Sequence, residues 1–303
     1  MADYDKLIEQ LGQLGTEQIN PDTVDIDRLS AEEIVSRINT EDRKVAEVVA
    51  EVLPAIAQAA ELYAKTLRAG GRVFYIGAGT SGRLGVLDAA ECPPTFGTDP
   101  AHIVGLISGG YATLVLSQEG VEDDHKAAID DLQHHRLSNK DLVVGLAASV
   151  RTPYTLAGLR YATELGAGTV FIVCNKNVQV PVNMDITIAL PVGPEAITGS
   201  TRMKSGTAQK MTLNMISTTA MVLLGKTYGN LMVDLQARSE KLAARSRKML
   251  MDLLQIDLTA AHELLEAASG SVKVAIVMHQ FSCGRDEACQ KLEAANGFIT
   301  RCR

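Results

Sequence analysis

The chain has 303 residues, of which 46% are hydrophobic and 21% are charged, and its formal net charge is −7. This length suits one large folded domain with appendages. The acidic balance, the lack of Trp and the low aromatic content of 4% disfavour nucleic acid as a partner. No apolar run is long enough to span a bilayer, no signal peptide is recognised and the cysteines show no CxxC spacing, so we expect a cytoplasmic protein with free thiols and no membrane partner.

The first part of the chain is expected to be an arm followed by helices. Residues 1–29 are polar and weakly patterned, whereas Ser30-Ala31-Glu32-Glu33 has the spacing of a capping box that opens a helix. A helical pattern runs from about Glu41 to Arg68, with an interruption at Pro54 and a stop at Gly70-Gly71. We therefore expect residues 1–50 to form an N-terminal arm and helix.

Strand and helix patterns then alternate. The strand-like runs are Val73–Ile76, Ile103–Ile107, Leu142–Leu146, Val170–Cys174 and Ile186–Leu190. The helical patterns between them are Arg83–Glu91, Tyr111–Gln118, His125–Gln133 and Tyr154–Leu165. Such alternation predicts right-handed β-α-β crossovers, and thus an α/β fold with a doubly wound, mainly parallel sheet over residues 51–235.

The last part of the chain is expected to be helical. A long helical pattern runs from about Thr201 to Leu224 and ends at Gly225. Four shorter patterns follow, at Lys241–Leu254, Leu258–Ser269, Val272–Gln280 and Arg285–Ala295. We expect residues 240–303 to form a small C-terminal helical module.

A glycine-rich turn follows the first predicted strand. Gly77-Ala78-Gly79-Thr80-Ser81-Gly82 lies between a strand and a helix, where backbone N–H groups and the helix dipole can hold a phosphate. The spacing also matches the dinucleotide fingerprint, which needs an acidic residue about 20 positions later. Because the second strand ends in Ile107-Ser108-Gly109-Gly110, a nicotinamide site is disfavoured. The hydroxyls of Thr80 and Ser81 favour a compact phosphate, as in a sugar phosphate, although an unliganded tight turn is the simpler alternative.

A second polar turn, Ser149-Val150-Arg151-Thr152-Pro153, follows the strand Val143–Ala148. Thr152 suits an N-cap and Pro153 suits the first helical position, so a further helix N-terminus opens here. Alone, this is ordinary capping. Two hydroxyl-rich turns after two strands of one sheet indicate a shared ligand.

Glu91 is the first candidate for acid–base chemistry. It precedes Cys92-Pro93-Pro94, which predicts that the helix ends near Glu91 and leaves the carboxyl at the negative end of the dipole. The spacing of Leu84, Leu87 and Glu91 also places it on an apolar face. Both effects would raise its pKa towards neutrality, although a surface glutamate in a last turn is the alternative.

Two further polar stretches and the histidines are less specific. Glu122 lies in Glu119-Gly120-Val121-Glu122-Asp123-Asp124, which alone is typical of a solvated turn. Ser200-Thr201-Arg202-Met203-Lys204 opens the long helix, and Arg202 and Lys204 could attract an anion or simply be a polar helix start. The six histidines are scattered and no spacing resembles a zinc site, so we expect no metal and no cofactor.

Taken together, these stretches resemble the N-acetylmuramic acid 6-phosphate etherase family, bacterial enzymes with a sugar isomerase (phosphosugar-binding) fold. The resemblance is carried by Gly77 to Gly97, Ala147 to Tyr154, Thr198 to Lys210, Asn230 to Asp234 and the arm stretch Thr16 to Asp27. It implies a carbon–oxygen lyase that cleaves the lactyl ether of its substrate, giving N-acetylglucosamine 6-phosphate and D-lactate in peptidoglycan recycling. It also implies a cytoplasmic homodimer without metal or nucleotide.

The resemblance also implies roles for particular residues. Glu91 and Glu122 fall on the family's two acidic positions and are the expected catalytic residues. The expected substrate-binding residues are Gly79, Thr80, Ser81, Ser149, Arg151, Thr152, Ser200, Thr201 and Arg202.

One position departs from the family pattern. The family's second turn has a glycine where this chain has Val150, which is costly if that glycine is needed for positive φ or for close approach of the phosphate. Two alternatives stay open: a phosphosugar isomerase, which would not need Glu122, and a non-catalytic phosphosugar-sensing regulator, which would need only the turns.

Overall fold

The computed structural model describes residues 12–176, 182–235 and 240–303. They divide into two units. The first comprises Ala101–Ser217 and the described part of Met1–Ala89, and the second comprises Ala90–Pro100 and the described part of Thr218–Arg303. The boundaries expected from the sequence, near residues 50 and 235, stay predictions.

The first unit begins with the arm and two helices. The arm contains 3₁₀ turns at Gly15–Glu17, Pro21–Thr23 and Ile26–Arg28, and it leads into helices α1 (Ala31–Ala50) and α2 (Leu53–Arg68). The predicted capping box is confirmed, because the Ser30 hydroxyl accepts from the Glu33 N–H while the Glu33 carboxylate accepts from the Ser30 N–H. Pro54 lies in the first turn of α2, where its missing N–H costs nothing.

In the described residues, five parallel strands form the sheet of the first unit. They are β1 (Val73–Gly77), β2 (Ile103–Ile107), β3 (Leu142–Ala147), β4 (Gly168–Val173) and β5 (Ile186–Ala189). Their spatial order is β2-β1-β3-β4-β5. Every residue of β1 and β3 is buried, as expected for apolar strands covered on both faces. The α/β fold with a mainly parallel sheet is confirmed.

In the described residues, four helices lie between these strands and a fifth follows β5. They are α3 (Gly79–Phe96), α4 (Ala112–Val115), α5 (His125–His134), α6 (Pro153–Leu165) and α7 (Lys204–Leu223). The helix expected over Tyr111–Gln118 is wrong beyond a single turn. Arg83 donates from its guanidinium to the carbonyls of Thr113 and Leu114, and the side chains of Val115 and Leu116 are exposed, so neither hydrogen bonding nor packing extends this helix.

The described part of the second unit is mostly helical. It contains a two-stranded antiparallel sheet of β6 (Thr227–Tyr228) and β7 (Leu231–Met232). The helices that follow are α8 (Glu240–Leu254), α9 (Leu258–Ala267), α10 (Val272–Phe281) and α11 (Arg285–Ala294), close to the four predicted patterns. All five cysteines are free, as expected. Within the described ranges, no helix combines the length and apolar character needed to cross a bilayer.

Candidate functional site

The strand order locates the candidate site. In the order β2-β1-β3-β4-β5, the chain leaves β1 towards one edge of the sheet and returns to β3 on its other side. Parallel sheets bind ligands at the carboxyl ends of the strands that flank such a switch point. Gly77 at the end of β1 pairs with Leu146 of β3, so the two polar turns predicted from the sequence emerge side by side.

The first turn is shaped by its glycines. Gly79 has φ +54°, and a Cβ built on it would meet no atom within 4 Å, so its backbone faces open space. A Cβ on Gly82 would lie 2.6 Å from the Gly77 carbonyl oxygen, and therefore only glycine allows the chain to fold back so tightly. These two properties suit a turn whose backbone approaches an anion.

The first turn also lies against the start of α7. The Ser81 side chain is buried, and its hydroxyl donates to Oε1 of Gln209 at 2.8 Å. A Cβ on Gly206 would lie 3.3 Å from Cγ2 of Thr80. The structure therefore brings Thr80 and Ser81 together with the opening turns of α7. These turns directly follow the polar stretch Ser200 to Met203.

The second turn opens α6 without a side-chain cap. Thr152 occupies the N-cap position, as expected, but its hydroxyl makes no capping hydrogen bond, so that part of the expectation is wrong. Instead, the Ser149 hydroxyl accepts from the Arg151 N–H at 3.3 Å. The N-cap side chain thus leaves the start of α6 uncapped, and uncapped helix N-termini can bind anions.

Val150 fits this turn without backbone strain. It is not among the residues with positive φ, and its side chain packs against the apolar core that contains Phe74, Val143 and Phe171. The concern that a positive φ is required at this position is therefore wrong, because the observed turn does not use that conformation.

Two buried carboxylates, those of Glu195 and Glu41, hold Lys204 at the end of the polar stretch that precedes α7. Glu195 is fully buried and accepts from the N–H groups of Lys204 and Ser205, each at 2.9 Å, so the N-terminus of α7 is already capped by an anion. Lys204 is also buried and pairs with Glu41, so the idea that Lys204 attracts a ligand is wrong. Ser200 and Thr201 are half-buried just before α7, and Arg202 is exposed.

Glu122 lies in a 3₁₀ turn, Val121–Asp123, at the carboxyl end of β2. The Ser108 hydroxyl donates to the Val121 carbonyl, and the turn packs against α6. Of the four acids in this stretch Glu122 alone is half-buried, while Asp124 caps α5 by accepting from the N–H groups of Lys126 and Ala127. The structure therefore distinguishes Glu122 from its neighbours, which the sequence pattern could not do.

Glu91 does not have the environment expected from the sequence. Helix α3 continues through Pro93 and Pro94 to Phe96, so Glu91 is inside the helix and not at its end. Burial of Cys92 and Phe96, four residues apart on one face, accounts for the continuation. Glu91 itself is exposed, and Leu87 on the supposed apolar face is 50% exposed. The expected position of Glu91 at a helix end and on a buried apolar face is therefore wrong.

The buried carboxyl of α3 is Asp88 instead. Burial raises the pKa of Asp88, and hydrogen bonds donated by Tyr75, Ser217 and Asn214 offset this only in part. Asp88 lies on the same face as Ser81 and Gly85, and a Cβ on Gly85 would come within 2.8 Å of the Tyr75 side chain. The inner face of α3 thus consists of small and polar residues, which hydrophobic spacing does not detect.

Asn175, which follows β4, also lies at the carboxyl end of the sheet, and no sequence motif pointed to it. Its side-chain amide donates to the Ala148 carbonyl at 2.9 Å and to the Thr16 hydroxyl at 3.3 Å. The arm is further joined to the segment before α7, because Asn20 donates to the Pro194 carbonyl and Thr23 to the Ala196 carbonyl. The arm therefore belongs to the structure that shapes the carboxyl end of the sheet.

The described side chains offer no obvious metal centre. No group of three or more His, Cys, Asp or Glu residues within the described ranges is arranged to hold a metal ion. What the site offers is backbone N–H groups, hydroxyls and carboxylates, which suit anion binding and proton transfer.

A parallel sheet with polar turns at its switch point places the chain among SIS-domain proteins. Two family models of that class match it. The SIS domain family matches residues 111–219, and the glucokinase regulatory protein N-terminal SIS domain matches residues 55–163. Among solved structures, a phosphoheptose isomerase from Francisella tularensis is 16% identical, with a TM-score of 0.48 over 64% of this chain and 98% of that chain. That likeness is too distant to bear on the site.

Similarity to curated relatives over most of the chain identifies its family. The chain is 50% identical over 289 residues to the N-acetylmuramic acid 6-phosphate etherase of Erwinia tasmaniensis, covering 95% of this chain and 94% of the relative. It is 50% identical to that of Mycolicibacterium smegmatis, covering 95% and 97%, and 48% identical to that of Exiguobacterium sp., covering 95% and 98%. The chain belongs to the N-acetylmuramic acid 6-phosphate etherase family.

Proposed function

We propose that this protein is a carbon–oxygen lyase that cleaves the D-lactyl ether of N-acetylmuramic acid 6-phosphate. The products are N-acetylglucosamine 6-phosphate and D-lactate, and the physiological setting is peptidoglycan recycling and amino sugar catabolism. The observation that carries this proposal is near-half identity to etherases over almost the whole chain. Similarity to the glucokinase regulatory protein domain covers only residues 55–163. The alternative of a non-catalytic phosphosugar-sensing regulator is therefore less favoured than an etherase.

We assign the phosphate to the two turns at the switch point. The turn with Gly79, Thr80 and Ser81 offers an open backbone, and the N-terminus of α6 after Ser149 and Thr152 lacks a side-chain cap. A dianionic phosphate would gain charge-assisted hydrogen bonds from these N–H and hydroxyl groups.

The rest of the sugar is assigned to the polar side chains around these turns. Arg151 follows Ser149 in the second turn, and Ser200, Thr201 and Arg202 precede α7, whose opening turns lie against Thr80 and Ser81. Hydroxyl and guanidinium groups suit the hydroxyls and carboxylate that the substrate carries besides its phosphate.

The reaction needs one base and one acid. In the ring-opened sugar the C1 aldehyde acidifies the C2 proton, which one carboxylate removes. The C3–O bond then breaks, the second carboxyl protonates the departing lactate oxygen, and water adds at C3 of the unsaturated aldehyde. Two carboxyl groups in different protonation states are sufficient for these steps.

We assign Glu122 as the base and Glu91 as the acid. The half-buried position of Glu122 at the carboxyl end of β2 supports its assignment. The assignment of Glu91 rests on family membership alone, because the local environment expected for it is not the one observed. The proposed steps move protons and no net electrons, so they require neither a nicotinamide nor a redox metal. The homodimer and the cytoplasmic location are carried over from the family as part of this proposal.

Incubation of the purified protein with N-acetylmuramic acid 6-phosphate in H₂¹⁸O tests the proposal. The expected result is D-lactate without label and N-acetylglucosamine 6-phosphate with one ¹⁸O at C3, because the C3–O bond breaks and water adds there. Label in the lactate would contradict elimination, and absence of D-lactate would contradict the etherase activity.

A further inference from the structure

Gln209 is a buried side chain that the proposed reaction does not use. It lies on α7, is 1% exposed, and accepts the Ser81 hydroxyl proton through Oε1 at 2.8 Å. Its amide nitrogen, Nε2, is buried and has no hydrogen-bond partner among the residues that the structure describes. A buried amide donor without a partner destabilises the folded protein. Its position beside the first phosphate turn therefore suggests that it has a role in binding.

The observed hydrogen bond conflicts with phosphate binding by Ser81. A serine hydroxyl has one proton to donate, and the Ser81 proton points to Gln209. A dianionic phosphate only accepts hydrogen bonds, so the Ser81 hydroxyl can donate to it only after it stops donating to Gln209. The hydrogen bond to Gln209 and a phosphate contact through the Ser81 proton therefore exclude each other.

We propose that Gln209 is a positioning residue that releases the Ser81 hydroxyl when the phosphate of the substrate binds. This inference rests on the proposed function, because it requires a phosphate at the first turn. Rotation of the side-chain amide by half a turn exchanges Oε1 and Nε2 without a change in volume. Nε2 then donates to Oγ of Ser81, and the Ser81 hydroxyl donates to the phosphate, so that Nε2 gains the partner that it lacks among the described residues. The oxygen that loses its partner is the less costly group to leave unsatisfied.

A double-mutant cycle on phosphosugar binding tests this relay. The probe is N-acetylglucosamine 6-phosphate, with its Kd measured by calorimetry. Ser81→Ala should weaken binding roughly 10- to 150-fold, the loss of one hydrogen bond to a charged group. Gln209→Glu should weaken binding to a similar extent, because an ionised carboxylate only accepts and holds the Ser81 proton away from the phosphate.

The double variant separates the relay from charge repulsion. If Gln209→Glu acts by holding the Ser81 proton, the substitution adds less than threefold to Kd in the Ser81→Ala background. If it repels the phosphate directly or distorts the helix, it weakens binding by the same factor in both backgrounds, which would overturn the relay. The loss should fall on KM rather than on kcat.

A second substitution guards against a variant that does not fold. Gln209→Leu is uncharged, and it should weaken binding less than Ser81→Ala and have no effect once Ser81 is alanine. The matched control is Thr212→Val, which removes another buried hydroxyl on α7 that has no hydrogen-bond partner within the described part of the chain. The control should stay within twofold of the wild-type Kd.

The outcomes distinguish the two proposals. Wild-type protein that does not bind N-acetylglucosamine 6-phosphate would overturn the proposed function and the relay together. Normal wild-type binding with unchanged binding in both Gln209 variants would overturn the relay alone.

Discussion

Removal of Glu41 should destabilise the first unit, because it would leave a buried ammonium without its counterion. Glu41 lies on α1 and contacts Lys204 at the start of α7, with a distance of 2.5 Å between Oε2 and Nζ. The two side chains are 3% and 2% exposed. Burial acts to raise the pKa of Glu41, but hydrogen bonds from Lys204 and Lys44 outweigh it, so the carboxyl pKa lies below its usual value.

The magnitude follows from the burial of both groups. Removing one member of a buried ion pair costs about 3–5 kcal/mol, since the remaining charge stays desolvated. Glu41→Leu should therefore lower the free energy of unfolding by about 3–5 kcal/mol. Lys204→Met should lower the free energy of unfolding by about 3 kcal/mol, the lower end of this range. Its partner Glu41 still has a second counterion in Lys44, which is 46% exposed. The double variant replaces the pair by apolar groups and should lie within about 2 kcal/mol of wild type.

Urea denaturation of the wild type, both single variants and the double variant measures these differences. A double variant as unstable as the sum of the single variants would refute the reasoning, since each site would then act alone. A pH series adds a second check. The folded-state pKa of Glu41 is lowered, so its contribution is complete above the unfolded value of about 4.3 and is lost as the pH falls through the folded value.

The other predictions concern the turns and α3. Ser149→Ala should weaken binding of N-acetylglucosamine 6-phosphate by about 1–3 kcal/mol in calorimetry, and an unchanged affinity would count against the second turn. Val150→Gly should leave this affinity intact or raise it while lowering the free energy of unfolding by about 1–3 kcal/mol, because packing against the core is lost and the backbone gains freedom; a clear loss of affinity would contradict this. The raised pKa of Asp88 means that wild type loses stability as the pH rises from about 3.9 through the folded value. In urea denaturation at several pH values, Asp88→Asn should lack this loss of stability. If the free energy of unfolding of both proteins changed equally with pH, the raised pKa of Asp88 would be contradicted.

The strands were predictable because their signal is local. Each buried strand is a short apolar run that ends in glycine or a polar turn, and Ile103–Ile107 was placed at its observed bounds. Parallel strands covered on both faces leave little room for another interpretation. The two polar turns could be expected side by side, because the carboxyl ends of parallel strands lie at the same edge of a sheet.

Helix α3 shows where local patterns fail. Hydrophobic spacing selected the face of Leu84 and Leu87, yet the buried face carries Ser81, Gly85 and Asp88. This face needs small residues because the helix lies close to β1, and it buries a polar residue because Tyr75 and Ser217 supply donors. Both reasons depend on residues that are distant in sequence or on another element.

The contacts that shape the candidate site are long-range as well. Ser81 and Gln209 are 128 positions apart, and Glu41 and Lys204 are 163 positions apart. Glu195 caps a helix that begins nine residues later. A cap at that separation matches no sequence rule, because capping patterns rely on the residues adjoining the helix.

The central claim is that two carboxyl groups divide the elimination between them, and NMR of the substrate in D₂O tests it most directly. Wild-type protein should exchange the C2 hydrogen and release D-lactate, and so should the control Asp123→Ala, which alters an exposed acid beside Glu122. Glu91→Ala should exchange C2 without releasing lactate, because the base remains while the acid is lost, whereas Glu122→Ala should do neither. Exchange by the Glu122 variant and not by the Glu91 variant would reverse the two roles. Release of lactate at the wild-type rate by both variants would contradict the account.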